Sequence, residues 1–521
     1  MRRKIDRYAL VSVFDKTGIV EFTKVLIHLG YQIISTGGTG KMLSENGIEV
    51  IPIQSVTGNP ESFDGRMKTI SFQVESGILF DRSKISHQKE AKKLKIPFID
   101  IVVCNLYPFE QIAAKRGVKL DEAVESIDVG GPTMIRAAAK NFKHVLVVVD
   151  PNDYPTLSIL LRSSILFEKR RKELAAKAFR HLSFYDAQIA LYLDKKPFPH
   201  EFALPLRKLM TLRYGENPHQ KGAFYGYPHV QSLLHKLKKR WGRDLSLVNL
   251  TDINAGIEAV RLFREYASVV IKHNSPCGIA LGKTGKEALA RAIEADPQSA
   301  FGGVVVTNFA LDTDSASVIA SFKDEKKGTI DVVACPRIDV STLSFLQTIR
   351  KSMGVYTFGI IPRKTKDPYN IKWVDGGLVL QTHDNNIDKS FLTWKTVTTK
   401  KPTGRELQQM QIAWKFLSRI RSNTIVVIDK NLPMTRGIGS GQTSRIRSAK
   451  IALEQAGNFT KGGILASDSF FPFEDCVKLA AKNGIAAIVQ QGGSINDNAS
   501  IAAANKARIT MVFTGRRAFW H

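Results

Sequence analysis

Short apolar runs alternate with amphipathic stretches over residues 8–150. Tyr8–Phe14 reads as a strand. From Gly18 to Leu29, the residues Ile19, Phe22, Val25, Leu26 and Leu29 recur at intervals that place side chains on one face of a helix. Tyr31–Ser35 is a second strand, and Thr36-Gly37-Gly38-Thr39 leads from it into a helix carrying Met42 and Leu43. Ile99–Cys104 and His144–Val149 are β-rich and nearly unalternating, the pattern of parallel strands covered on both faces. This order predicts a doubly wound α/β domain. A charged helical stretch over 155–195 follows, and the proline-containing segment 197–205 is the expected linker.

The remainder, from about residue 205 to His521, again mixes strands with helices. Val269–Lys272, Gly303–Thr307, Ile330–Ala334, Thr424–Ile428 and Ala486–Val489 are the expected strands. Charge-rich composition around 364–372 and 383–405 predicts a boundary between two subdomains. No internal repeat or low-complexity tract is visible.

Composition narrows the class. At 521 residues the chain exceeds what one core usually organises. Hydrophobic residues make up 43% and charged residues 24%, ordinary globular values that exclude long disorder. The longest apolar runs, such as 145–149, are strand-sized and too short to cross a bilayer. Asp15 and Lys16 interrupt the first apolar stretch before it resembles a signal peptide, so a cytoplasmic enzyme is expected. Cys104, Cys277, Cys335 and Cys476 are scattered with no C-x-x-C pair, which argues against a disulfide framework or structural zinc.

The formal net charge is +27. Such an excess suits nucleic acid, anionic small substrates, or a generally basic surface. Here the cations are spread along the chain, with modest clusters at 169–172 and 236–240, and no RNP motif, zinc finger or basic zipper accompanies them. Nucleic acid is therefore not the expected partner.

Several segments carry groups suited to chemistry. Ser35-Thr36-Gly37-Gly38-Thr39-Gly40 lies between a strand and a helix, where glycine backbone N–H groups and a helix N-terminus can cradle an anion, though such turns are also a common structural joint. Asp64-Gly65-Arg66-Met67-Lys68-Thr69 sets two cations beside a hydroxyl. Asn105-Leu106-Tyr107-Pro108-Phe109 follows a strand, at the end where open α/β sheets bind ligands. Asp128-Val129-Gly130-Gly131-Pro132 opens a helix that ends near Lys140, with Pro132 suited to its first turn. Further on, Arg213-Tyr214-Gly215-Glu216-Asn217-Pro218-His219-Gln220 joins a cation, an aromatic and a turn. Lys272-His273-Asn274-Ser275-Pro276-Cys277-Gly278 puts a Lys beside a His at the end of a strand, a pairing fit for acid–base work.

Together, Ser12–Gly18, Ser35–Thr39, Asp64–Thr69, Asn105–Phe109, Ile127–Thr133 and Ala137–Asn141 resemble the cyclohydrolase half of the bifunctional phosphoribosylaminoimidazolecarboxamide (AICAR) formyltransferase/IMP cyclohydrolase family. The 213–220 and 272–278 stretches resemble its formyltransferase half, as do Ser299–Gly303, Lys415-Phe416 with Ser422-Asn423, Gly437–Arg445, Ala466–Asp475 and Gly492–Ser494. The resemblance runs from about residue 8 to His521. It implies a methylglyoxal-synthase-like domain over 1–200 and a duplicated cytidine-deaminase-like domain over 201–521. It implies the last two steps of purine biosynthesis, a cytoplasmic homodimer, and the ligands AICAR, its formylated product FAICAR, inosine monophosphate (IMP) and folate. The co-substrate would be 10-formyltetrahydrofolate, with no metal, nucleic acid or membrane required.

By the same resemblance, Lys68, Tyr107, Asp128 and Lys140 match residues of ring closure. Lys16, Thr36, Gly37, Gly38, Thr39, Arg66, Thr69, Cys104 and Asn105 match nucleotide contacts of that half. Lys272 and His273 match the pair that transfers the formyl group. Arg213, Tyr214, Gly302, Asp331, Asn423, Arg445 and Phe470 match its nucleotide contacts, and Ile446, Asp475, Ser494, Ile495 and Arg517 match folate contacts. The residue types suit the chemistry. A carboxamide nitrogen is a poor nucleophile, so positioning must supply much of the rate of closure. Lysines suit the oxyanion, and Tyr107 and Asp128 suit proton transfer. A zinc-deaminase reading fails, because Pro276-Cys277 continues as Gly278-Ile279-Ala280 where P-C-x-x-C would be needed.

The chain departs from the family pattern at Phe14, at Ser71, Phe72 and Glu75 where relatives carry His-Pro and a later His, and at Trp520. Two other readings therefore stand beside the bifunctional enzyme. One is a formyltransferase with an impaired cyclohydrolase half; the other is a basic RNA-associated protein on an enzyme-derived fold.

Overall fold

The computed structural model describes residues 7–521 except 64, 116, 164–167, 195, 229–231, 327 and 366–368, so Asp64 and parts of the expected 155–195 and 364–372 segments lie outside the described residues. The chain forms two compact units that divide at Leu206 and Arg207.

The first unit is built on five parallel strands: β1 (Arg7–Val13), β2 (Tyr31–Ser35), β3 (Ile51–Pro52), β4 (Ile99–Asn105) and β5 (Leu146–Val148), in the order β3-β2-β1-β4-β5. Successive residues of a strand face opposite sides. Ala9, Val11, Ile101 and Val103 accordingly pack with Phe22 and Leu26 on one face. Leu10, Val102 and Cys104 pack with Met134 and Ile135 on the other. Both faces need apolar cover, which is why these strands read as unbroken hydrophobic runs. The chain leaves β1 towards β2 and β3, then returns beside β1 as β4. That reversal opens a crevice beyond the carboxyl ends of β1 and β4.

The second unit holds two six-stranded sheets. The first contains β6 (Lys238–Trp241), β7 (Tyr266–Lys272), β8 (Ser275–Gly282), β9 (Gly303–Thr307), β10 (Ile330–Cys335) and β11 (Gly354–Thr357). The second contains β12 (Lys395–Thr396), β13 (Ile425–Ile428), β14 (Thr435–Gly439), β15 (Ile464–Ser467), β16 (Ala487–Gln490) and β17 (Thr510–Phe513). Their orders are β8-β7-β9-β10-β11-β6 and β14-β13-β15-β16-β17-β12, the same topology twice. Strand directions agree as well: an antiparallel hairpin, three parallel strands and an antiparallel edge. The sheets share one core, in which Val269, Ile271 and Val304 meet Trp414, Val426 and Ala466. They also meet at an edge, where Leu281 N–H donates to the Pro433 carbonyl at 2.9 Å.

The strands expected from apolar runs are present, shifted by one to three residues at their ends, which is where hydrogen-bond assignment and hydrophobicity differ. The structure adds β8, β11, β14, β15 and β17, which are short or rich in glycine and small polar residues. No strand or helix covers 197–205, and β12 opens the second sheet within the charge-rich stretch 383–405.

The repeat extends to a glycine. Gly278 pairs with Val270, and Gly437 with Val427, at matching places in the two hairpins. A Cβ at Gly278 would strike the Ala292 carbonyl oxygen, and one at Gly437 the Ala452 carbonyl oxygen. Backbone cannot move aside as a flexible side-chain tip can, so each helix sits this close to its sheet only over glycine. Gly437→Ala should therefore destabilise the second unit by about 3 kcal/mol, the upper end for overpacking. Gly404→Ala, in a helical first turn where a Cβ meets nothing within 4 Å, should leave stability unchanged or slightly raised. Thermal unfolding of the two variants beside the parent checks both outcomes.

Candidate functional site

The crevice of the first unit opens into a cavity of about 810 Å³, lined by first-unit residues that include Ser12, Thr36, Glu61, Arg66, Lys68, Thr69, Tyr107, Glu125 and Asp128. Beside it, hydrogen bonds from side chains at the strand ends fix the neighbouring loops. Asn105 Oδ1 accepts the N–H groups of Phe14 and Asp15 at 2.7 and 2.9 Å, and its Nδ2 donates to the Asp15 carbonyl at 3.0 Å. Asn105 thus braces the loop after β1. Thr39 accepts Val13 N–H at 3.1 Å and donates to the Val13 carbonyl at 2.9 Å, while Thr36 and Ser12 hydroxyls lie 2.9 Å apart.

These contacts fix the N-terminus of the helix Gly37–Glu45, whose cap Thr36 makes no side-chain cap bond. Unsatisfied N–H groups and the helix dipole favour an anion there. Lys68 adds its charge, since its Nζ would lie 2.6 Å from a Cβ at Gly37. The Lys68 ammonium pairs with Glu61 at 3.1 Å, and Arg66 pairs with Glu125. Both pairs are partly exposed and exchangeable, because such bridges contribute at most about 1 kcal/mol.

Asp128 lies behind these cations. Its carboxylate accepts N–H from Gly131 at 2.8 Å and from Tyr107, and its own N–H donates to the Tyr185 hydroxyl at 2.8 Å. Burial pushes the carboxyl pKa up, opposed by those two amide donors. A raised carboxyl is a stronger base near neutrality. Tyr107 is exposed, its ring tilted against Phe14 at 5.3 Å between centroids. Thr69 packs its hydroxyl against the backbone of Gly130.

Of the sequence-derived set, the cavity gathers Thr36, Arg66, Lys68, Thr69, Tyr107 and Asp128. Gly37, Gly38 and Thr39 form the helix start beside it. Lys16 is half-buried next to the braced loop, with Nζ 3.4 Å from the Phe14 carbonyl. Cys104 is buried in the core under Asp128, and burial drives its thiol pKa well up. Lys140 stands exposed at the far end of the helix Gly130–Lys140, about 15 Å along the axis from Gly130 at 1.5 Å per residue, and does not line the cavity. Glu61, Glu125 and Tyr185 were not singled out from sequence. Their partners lie 7 to 59 residues away, beyond the reach of a local motif.

The departures at 71–75 have structural roles. Ser71 caps the helix Phe72–Leu79 by accepting Val74 N–H at 3.1 Å. Phe72 is exposed, and Glu75 is half-buried with Oε1 lacking a hydrogen-bond partner among the described residues.

In the second unit, Lys272 and His273 occupy the turn between β7 and β8. His273 and Asn274 both have left-handed backbones, at φ 52° and 61°. Lys272 Nζ donates to the Phe301 carbonyl at 2.6 Å, and a Cβ at Gly302 (φ 68°) would lie 3.0 Å from it. Arg213 donates to the Tyr214 hydroxyl at 2.9 Å and lies over its ring. Asp331 is held between Arg243 at 2.9 Å and Arg350 at 2.7 Å, two residues without a sequence signal. In the second sheet, Asn423 Nδ2 donates to the Gln442 carbonyl at 2.9 Å. Arg445 is buried and paired with the wholly buried Asp468, which also accepts Thr424 N–H at 3.1 Å. Breaking such a pair strands a charge, so Arg445 braces this segment.

Ile446 packs against the second-sheet core, and Phe470 is partly exposed. Asp475 begins a helix and accepts Cys476 N–H at 2.7 Å. Ser494 accepts Asn496 N–H at 3.2 Å, Ile495 is fully exposed, and Arg517 lies over Phe519. Trp520 packs under Arg419. Among the described residues, no His, Cys, Asp and Glu side chains group as a metal site, and no helix is long and apolar enough to cross a membrane.

Known protein families also match this chain. A family described as AICARFT/IMPCHase bienzyme matches residues 138–455, and the MGS-like domain matches 18–133. The bifunctional purine biosynthesis protein PurH of Persephonella marina is 42% identical over 99% of this chain and 100% of its own length. Those of Acetivibrio thermocellus and a Thermoanaerobacter species are 44% and 43% identical, each covering 98% of this chain and 99% of their own.

Glu75 supplies a test of how the helix Phe72–Leu79 is buried. Burial raises its carboxyl from an ordinary 4.5 to about 7. The folded state therefore holds a proton that the unfolded state releases between those values. Stability should fall as pH rises through that window. Glu75→Gln removes the penalty, so its melting temperature should exceed the parent's at pH 8 and equal it at pH 4, as read by thermal scans at both.

Proposed function

The chain belongs to the AICARFT/IMPCHase bienzyme family, and from that membership we propose that it transfers a formyl group from 10-formyltetrahydrofolate to AICAR and closes the resulting FAICAR to IMP. It is a bifunctional enzyme of purine biosynthesis, a formyltransferase and a cyclohydrolase. The observation that carries the reading is similarity along nearly the whole chain, with both family matches in order. The cavity that brings Lys68, Tyr107 and Asp128 together is consistent with it.

In this proposal residues 1–200 form the cyclohydrolase domain and 201–521 the formyltransferase domain. For transfer, the AICAR amine attacks the formyl carbon, a tetrahedral oxyanion forms, and the bond from carbon to the folate nitrogen breaks. His273 accepts the amine proton, and Lys272 stabilises the oxyanion or protonates the departing nitrogen. Arg213, Tyr214 and Asp331 hold the nucleotide, with Asp331 aimed by its two arginines. For closure, the carboxamide nitrogen attacks the formamide carbon and the carbinolamine loses water. Lys68 stabilises the oxyanion, Asp128 moves the proton, and the start of the helix Gly37–Glu45 with Arg66 receives the nucleotide's anion. The contribution of Lys140 to closure rests on the family resemblance. The reaction needs no metal, and the basic surface serves nucleotide and folate anions rather than nucleic acid. A cytoplasmic homodimer belongs to the same proposal.

His273→Ala and Lys272→Ala should each lower formyl transfer by about 10²–10⁴, the usual contribution of a positioned acid or base. Both should close supplied FAICAR at the parent rate. Lys68→Ala should show the converse. Separate assays with AICAR plus 10-formyltetrahydrofolate and with FAICAR check the crossed pattern, and loss of both activities in any one folded variant would contradict the assignment.

A further inference from the structure

Asp252 is only 4% exposed, in the middle of the helix Leu247–Val260, and the steps above do not use it. A carboxylate is costly to bury unless it gains partners. Its Oδ1 accepts the Asn274 N–H at 2.7 Å. That amide belongs to the two-residue turn whose His273 and Asn274 are both left-handed. Positive φ is uncommon for any residue but glycine, although His and Asn adopt it more readily than most. The Asp252 carboxylate thus gives this turn a hold from outside the hairpin. Burial raises the Asp252 carboxyl pKa, while the Asn274 N–H and the charges of His273 and Lys272 pull it back, so its negative charge lies close behind that pair.

The helix bearing Asp252 is anchored at its start as well. Ser246 and Asn249 form a reciprocal cap. Leu247 N–H donates to the Tyr214 carbonyl at 3.0 Å, and Arg213 N–H to the Leu245 carbonyl at 2.8 Å. The helix also lies tight on β9, since a Cβ at Gly256 would collide with Val306. One rigid element thus links the Arg213–Tyr214 segment to the turn of Lys272 and His273.

We propose that Asp252 is a positioning residue for formyl transfer, fixing the His273–Asn274 turn and so the directions in which Lys272 and His273 leave the sheet. This rests on the assignment of Lys272 and His273 as the reacting pair. Misplacing a reacting group by an ångström costs about 10²-fold in rate. Lost positioning falls on kcat, whereas lost nucleotide contact falls on KM.

The test uses the full chain, with transfer kinetics on AICAR and 10-formyltetrahydrofolate and closure of FAICAR measured in parallel. Asp252→Ala is expected to lower the kcat of transfer about 100-fold. KM for AICAR should stay within about threefold and closure should be unchanged. Asp252→Asn, whose amide oxygen can still accept the Asn274 N–H, should recover most of the kcat. If the alanine variant does not fold, Asp252→Ser, too short to reach the amide, takes its place with the same expectation. A parent kcat in the truncated variant, or an Asn variant as slow as it, would overturn the proposal. His273→Ala separates the two levels: if it transfers at the parent rate the assignment of the pair fails, and if it is crippled while Asp252→Ala is not, only the role of Asp252 fails.

Discussion

Parallel neighbours in a sheet cannot be joined by a tight turn; the chain must cross a face of the sheet and start again from the same edge. That constraint sends every carboxyl end of β1 to β5 to one side. Ser12, Thr36 and Asn105 meet there because each ends, or directly follows, a strand. The reversal between β1 and β4 leaves the gap they surround. Where the second unit breaks the rule, with the hairpin of β7 and β8, it produces the tight turn that a parallel pair cannot make, and Lys272 and His273 stand on it. Both candidate centres are thus consequences of how strands are connected.

Charge is handled differently at the surface and inside. Arg66 and Lys68 are paired with Glu125 and Glu61 in bridges that are partly exposed and therefore contribute little. Arg445 and Asp468 form a pair with almost no exposure, whose separation would leave a charge without water or partner. The same kind of ion pair is therefore loose in one setting and holds the backbone in another. Sequence alone does not distinguish them, because burial is decided by distant elements.

What the sequence disclosed follows the range of the interactions. Ile99–Asn105 and Gly303–Thr307 were legible because burial on both faces leaves an apolar run. Ser275–Gly282 was not, because its proline, cysteine and glycine meet a helix and a neighbouring sheet rather than form a pattern of their own. The duplicated topology left no visible repeat, since strand order constrains which positions are apolar and little else. The motifs around Lys68, Asp128 and His273 were found because they are contiguous and resemble a family. Their braces, Asn105 to the loop after β1, Tyr185 to Asp128 and Asp252 to Asn274, span 90, 57 and 22 residues and were invisible as pairs.

The twofold topology sets two versions of one turn side by side. Lys272 follows Ile271, which pairs with Val304; Asp429 follows Ile428, which pairs with Ile464 in the equivalent strand. In the second copy Asp429 braces its own turn, accepting the N–H groups of Asn431 and Leu432 at 2.7 and 3.0 Å and pairing with Arg436 at 2.9 Å. A side chain so engaged has nothing to present to solvent. In the first copy that place is taken by Lys272, and the carboxylate that holds the turn sits on a separate helix as Asp252. This is a division of labour between duplicates: one copy holds its turn with its own carboxylate, and in the other, support from a neighbouring helix lets a lysine and a histidine stand where that carboxylate would be.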